Sequence, residues 1–98
     1  MDVYVQDQLE IIHDETNKKF FAIINGSTAY LQYIFINANT INMIKTYVPV
    51  SLRGQGIAAQ IVKVGLMFAQ KNNFKVIPSC SYVETFIERH TEYKNLLL

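Results

Sequence analysis

Arg53-Gly54-Gln55-Gly56-Ile57-Ala58 stands where the chain changes its hydrophobic period. Upstream, Thr40 to Val50 reads as an extended strand, with Pro49 near its end marking a kink or an unpaired edge. Downstream, Ile57 to Lys71 reads as a helix. Ile57, Ala58, Ile61, Gly65, Phe68 and Ala69 fall on one side of a wheel of about 100° per residue, and Gln60, Lys63, Gln70 and Lys71 fall on the other. Asn72-Asn73 closes the helix, and Phe74 to Ile77 is a further strand stopped by Pro78. Strand, helix and strand at this spacing make a βαβ crossover, so the two strands run parallel. Two glycines at the first junction leave backbone N–H groups uncovered, and the helix start adds partial positive charge. That combination suits a phosphate group, and Arg53 strengthens it. The same glycines would also serve an ordinary tight turn. The stretch is not a dinucleotide fingerprint, because Ala59 occupies the third glycine position, and it lacks the Gly-Lys-Ser/Thr ending of a P-loop.

The half before this junction reads as strands. Tyr4 to Ile12 alternates moderately, with Val3, Val5, Leu9 and Ile11 on one parity. Phe20 to Ile24 and Thr28 to Ile36 are joined by Asn25-Gly26, a strong hairpin signal. Asn37-Ala38-Asn39 makes the next turn. The expected fold class is therefore α+β: one domain over residues 1–98, with a mixed, mostly antiparallel five-stranded sheet. Four strands form a meander and the βαβ crossover adds the fifth. Ser79 or Ser81 can cap a last helix over Tyr82 to Arg89, and Thr91 to Leu98 reads as a short helical tail whose leucines pack back. Gly65 at the centre of the apolar helix face implies close approach of helix to sheet, since glycine there costs about 1 kcal/mol of helix propensity. Met67 lies on the polar side and is expected to be partly exposed.

Bulk properties exclude several classes. With 98 residues, half of them hydrophobic, the chain can bury a core but has no room for a second domain. Net charge is +1 with signs mixed, which argues against a nucleic-acid partner. No apolar run approaches the ~20 residues of a membrane span, and Met1-Asp2-Val3-Tyr4 does not open a secretory signal. One cysteine excludes an internal disulfide and suggests a reducing compartment, so a cytoplasmic location is expected.

The glycine turn and its neighbours resemble the GNAT N-acetyltransferase superfamily, whose signature is Gln/Arg-x-x-Gly-x-Gly/Ala. Thr46-Tyr47-Val48, then Arg53 to Ala58, then Pro78-Ser79-Cys80, then Arg89-His90-Thr91-Glu92-Tyr93 is similar to the very small single-domain branch of that superfamily. The resemblance covers roughly residues 20 to 96 and implies a minimal GNAT-like fold without the N-terminal helices, in which the strand before the turn carries a bulge and splays from its neighbour. It also implies acetyl-CoA as acetyl donor. The backbone of Val48 and Val50 would pair with the pantetheine, and Arg53, Gly54, Gln55, Gly56, Ile57 and Ala58 would take the pyrophosphate. The implied activity is acetyl transfer to an amine of a small molecule or protein; the alternative is a non-catalytic acyl-CoA-binding or regulatory module. Lys45 stands where the branch commonly has His, and Ser81 where it commonly has Pro.

Cys80 is the candidate catalytic residue. It follows the fifth strand, so the crossover puts it at the same sheet end as the glycine turn. It can act as a nucleophile, position groups or protonate a leaving thiolate; a buried structural thiol is the alternative. Tyr47 and Tyr82 can line an acceptor pocket. Glu84 and Glu88 share a helix face toward solvent, His90 reads as a helix C-terminal residue and His13 as a surface histidine. No metal ligand set is expected. The open strand edge and the leucine tail leave self-association undecided.

Overall fold

The computed structural model describes residues 1–98. Its sheet has six strands: β1 (Asp2–Gln6), β2 (Leu9–Asp14), β3 (Lys19–Ile24), β4 (Ser27–Asn37), β5 (Thr40–Tyr47) and β6 (Lys75–Ile77). Spatial order equals chain order, antiparallel from β1 to β5, with β6 parallel to β5. Helix α1 (Ile57–Lys71) makes the crossover, and α2 (Ser81–Arg89) follows β6. The α+β class and the crossover are as expected. The strand count is corrected, because the stretch read as one strand from Tyr4 to Ile12 is a hairpin folded at Asp7-Gln8.

Both turn residues have left-handed φ, 48° and 67°. Such a turn matches the twist of the flanking strands but usually contains glycine, which is why this one escapes a sequence reading. Gln6 pairs with Leu9 and Tyr4 with Ile11. The turn therefore joins an even position to an odd one, so Tyr4 rather than Val3 and Val5 shares the inner face with Ile11. Val3 and Val5 are exposed. The Asn25-Gly26 turn forms as read, with φ of 51° and 80°.

One cluster of 21 buried side chains joins the inner sheet face to both helices and the tail. Gly65 explains how close they come. A methyl group there would lie 2.7 Å from Leu31 Cδ2 and 3.4 Å from Met43 Cε. Met67 is exposed as expected. Neither serine caps α2. Its N-cap position is Cys80, with no side-chain cap bond. The tail is a 3-10 helix from Thr91 to Leu96, in which Leu96 is buried while Leu97 and Leu98 stay exposed, so only one of the three leucines packs back. No helix is long and apolar enough to cross a membrane.

Two features of β5 prepare the site. Gln32 pairs with Lys45 but Tyr33 pairs with Met43, so Ile44 is an extra residue, a β-bulge. The bulge shifts parity: Thr46 lies opposite Leu31 on the inner face, while Lys45 and Tyr47 turn outward. Strand pairing with β6 then stops at Asn42–Ile77, after which a single further bond, Cys80 N–H to Met43 O at 3.0 Å, precedes the departure of the two chains from each other. β5 itself ends at Tyr47 rather than Val50. Pro49 introduces a 3-10 turn over Val50–Leu52.

Candidate active site

The gap opened by this splay is the main cavity of the molecule, about 460 Å³. Thr46, Tyr47 and Val48 form one wall, Leu52 to Gly54 and Gly56 to Ala58 the floor, and Tyr82 of α2 the opposite wall. The sequence-predicted residues Val48, Arg53, Gly54, Gly56, Ile57 and Ala58 thus come together. Val50, Gln55 and Cys80 do not line the cavity. Val50 sits on the 3-10 turn with 76% of its surface exposed, and the Gln55 side chain bonds back to Ser51 O at 3.4 Å.

The floor is built by conformation more than by side chains. Gly54 and Gly56 both have left-handed φ, 80° and 74°. Gly56 is the N-cap of α1, and its C=O accepts from Gln60 N–H at 3.3 Å. None of the N–H groups of residues 54 to 59 donates a hydrogen bond within the chain. A methyl group at Gly54 would meet nothing within 4 Å. Unpaired donors at a helix start, facing open space, are the chemical requirement for an anion.

Arg53 has another task. Its Nε donates to Val48 O at 3.0 Å, tying the glycine turn to the end of β5. The Val48 C=O is therefore engaged, while the Val48 N–H has no partner in the chain.

Cys80 stands behind the wall. Its thiol donates to Thr46 Oγ1 at 3.3 Å, so Thr46 connects it to the cavity across the splay. Burial pushes the thiol pKa up, but the contact with the Thr46 hydroxyl and the pull of the Val83 and Tyr82 N–H groups outweigh it, and the pKa lies below the ordinary value. Burial holds the Tyr82 phenol above its ordinary value, with Arg89 opposing, so it is a protonated donor at neutral pH. The other sequence candidates lie elsewhere. The Lys45 ammonium sits over the outward Tyr30 ring, 5.9 Å from its centroid. Glu84 and Glu88 are exposed on α2. His90 closes α2, stacked on Phe86 with its Nδ1 2.8 Å from Phe86 O. His13 is no surface residue but fully buried. The role of Thr46 was missed; it follows only from the bulge.

Residues 19–96 match the family of GCN5-related N-acetyl-transferases. The chain is similar to Protein NATD1 of Danio rerio, 28% identical over 96% of this chain and 89% of that protein. It is also similar to Protein NATD1 of Homo sapiens, 26% identical over 84% of this chain and 74% of that one. Among solved structures, the solution structure of a GCN5-like protein from Staphylococcus aureus matches with a TM-score of 0.74 and 33% identity, over 95% of this chain and 91% of the other.

Proposed function

The chain belongs to the GCN5-related N-acetyltransferase family, and from that premise we propose that it transfers an acetyl group from acetyl-CoA to an amine. The observation that carries the proposal is the run of unpaired N–H groups from residue 54 to 59, of which Gly54 and Gly56 to Ala58 line the floor of the cavity between the splayed strands. Those donors, with the first helical turn that Ile57 and Ala58 begin, would hold a pyrophosphate. The splay leaves a strand end to which an extended, amide-bearing arm can add as a further strand. When bound, acetyl-CoA supplies the activated acyl group.

The rest is the work of this chain. Val48 N–H is placed to stabilise negative charge developing on the thioester oxygen. Tyr82 O–H is the proton donor on the facing wall and suits the departing thiolate. Cys80 positions Thr46 through its hydrogen bond; a nucleophilic role requires Thr46 to move aside. The cavity lining contains no carboxylate and no imidazole, so the proton of the attacking amine leaves to water. An open site of this kind suits an amine presented on a protein or a small molecule, without a closed pocket around it.

The test has two arms. Thermal shift with acetyl-CoA should show stabilisation of about 2.7 kcal/mol at a hundredfold excess over Kd; no shift removes the proposal. Release of CoA thiol is then followed with a panel of amines. Binding with no release above hydrolysis for every amine reduces the protein to an acyl-CoA-binding module.

A further inference from the structure

On β1 and β2, strands that do not line this cavity, the molecule holds a second constellation that the acetyl-transfer reading does not use. His13 lies on the inner face of β2 with its side chain 0% exposed. Its ring stacks on Phe20, 4.0 Å between centroids, and meets the Phe68 edge at 4.5 Å. Its Nε2 is 2.6 Å from the Tyr33 hydroxyl. The other nitrogen, Nδ1, is buried and has no hydrogen-bond partner. It points at two carboxylates. Ligand atoms of Asp2, His13 and Glu15 all lie within 4.8 Å of one another, and Nδ1 to Glu15 Oε1 is 3.9 Å.

That spacing is too long for a hydrogen bond, which closes at about 2.7–3.2 Å. It leaves room for a cation instead: two ligand bonds of roughly 2.0–2.2 Å at a tetrahedral angle hold their donor atoms about 3.4 Å apart, a separation reached by a small movement of the exposed carboxylates. We propose that Asp2, His13 and Glu15 form a binding site for a first-row divalent cation, with Zn²⁺ the best match to one imidazole and two carboxylates. Imidazole disfavours Mg²⁺ and Ca²⁺, which prefer all-oxygen shells. The imidazole is a preorganised ligand: the Phe20 face and the Phe68 edge fix its plane, and in the tautomer protonated at Nε2 the Tyr33 oxygen accepts that hydrogen bond and leaves the Nδ1 lone pair for the ion. Glu15 is exposed and free to swing closer to the ring, and water would complete the shell.

Asp2 and His13 face each other in the β1–β2 register. A cation bound here clamps the first residue of the edge strand to the end of its neighbour. The role is structural, and the site stands or falls independently of acetyl-CoA.

The experiment is titration of the untagged full chain with ZnCl₂ by calorimetry, followed by imidazole ¹⁵N NMR and amide hydrogen exchange. One equivalent should bind per chain. The His13 Nδ1 resonance should move while His90 stays, and exchange of the β1 amides should slow. His13→Gln removes a ring from the core and so perturbs folding as well as binding; the deciding variant is Asp2→Asn with Glu15→Gln, which alters exposed side chains only. It should bind Zn²⁺ at least ~10-fold more weakly with an unchanged circular dichroism spectrum. Unchanged affinity in that variant, a shift of His90 in place of His13, no saturable binding, or an equal response to MgCl₂ each overturns the site.

Discussion

Replacing Gly56 by valine is the sharpest probe of the proposed anion cradle. Gly56 has φ 74° and ψ 14°. An L-residue in that left-handed region costs about 1–2 kcal/mol, and a β-branched one more. The cost is conformational, because the nearest atom to an added Cβ is Gln60 Nε2 at 4.0 Å. The backbone therefore relieves the strain by rotating, which turns the neighbouring N–H groups away from the cavity floor. Each N–H bond lost to a charged group is worth roughly 1.5–3 kcal/mol, so CoA affinity should fall about 10- to 150-fold. Arg53→Ala is the comparison. Its Nε already bonds Val48 O and its side chain is exposed, so the lost attraction should be at most about 1 kcal/mol, near fivefold. Calorimetric titration of CoA into both variants, with urea unfolding to establish that each is folded, decides the order. A larger loss in Arg53→Ala than in Gly56→Val would show that Arg53, by its charge or its tie to Val48 O, and not the backbone amides, governs anion binding.

Two further predictions concern packing and chemistry. Thr46→Val removes the Oγ1 contact that lowers the Cys80 pKa. The pH midpoint of Cys80 alkylation by iodoacetamide should move upward, because the thiolate then forms only at higher pH; an unmoved midpoint would mean that the helix start alone sets the thiol. Gly65→Ala gains about 1 kcal/mol of helix propensity but drives a methyl to 2.7 Å from buried Leu31 Cδ2. Overpacking costs roughly 1–3 kcal/mol, so the urea midpoint should fall, and a rise would mean that α1 can lift from the sheet without penalty.

Local chemistry made part of this molecule readable. Asn25-Gly26 announces its hairpin because both residues tolerate positive φ, and Gly65 announces a close approach because nothing else explains a glycine there. The glycine turn was legible as backbone conformation. What escaped depended on pairing. Asp7-Gln8 makes the same kind of turn as Asn25-Gly26 without glycine, so the β1–β2 hairpin read as one strand. The resemblance implied a bulge in the strand before the turn but not its position, and it is Ile44 as the extra residue that decides that Thr46 faces Cys80 and that Lys45 faces outward. His13 shares the parity of Leu9 and Ile11, and that alternation was the available sign of its burial. Arg53 was read by charge alone, whereas its bond to Val48 depends on where β5 ends.

The agreement between spatial and chain order in the sheet bears on how the molecule assembles. Strands β1 to β5 meet through short hairpins, each closing a small loop at low entropic cost. The β5–β6 pairing must wait for the whole of α1 and then consists of three residue pairs. Low sequence separation favours early formation of the meander, with the crossover docking last. The cavity lies along that seam: Thr46 and Val48 belong to the early half, Tyr82 to the late one. Opening of β6 and α2 alone, a partial unfolding that leaves the meander intact, would separate the two walls. A ligand that spans the seam fastens the segment last to fold, and so draws its stabilisation from the least secured part of the chain.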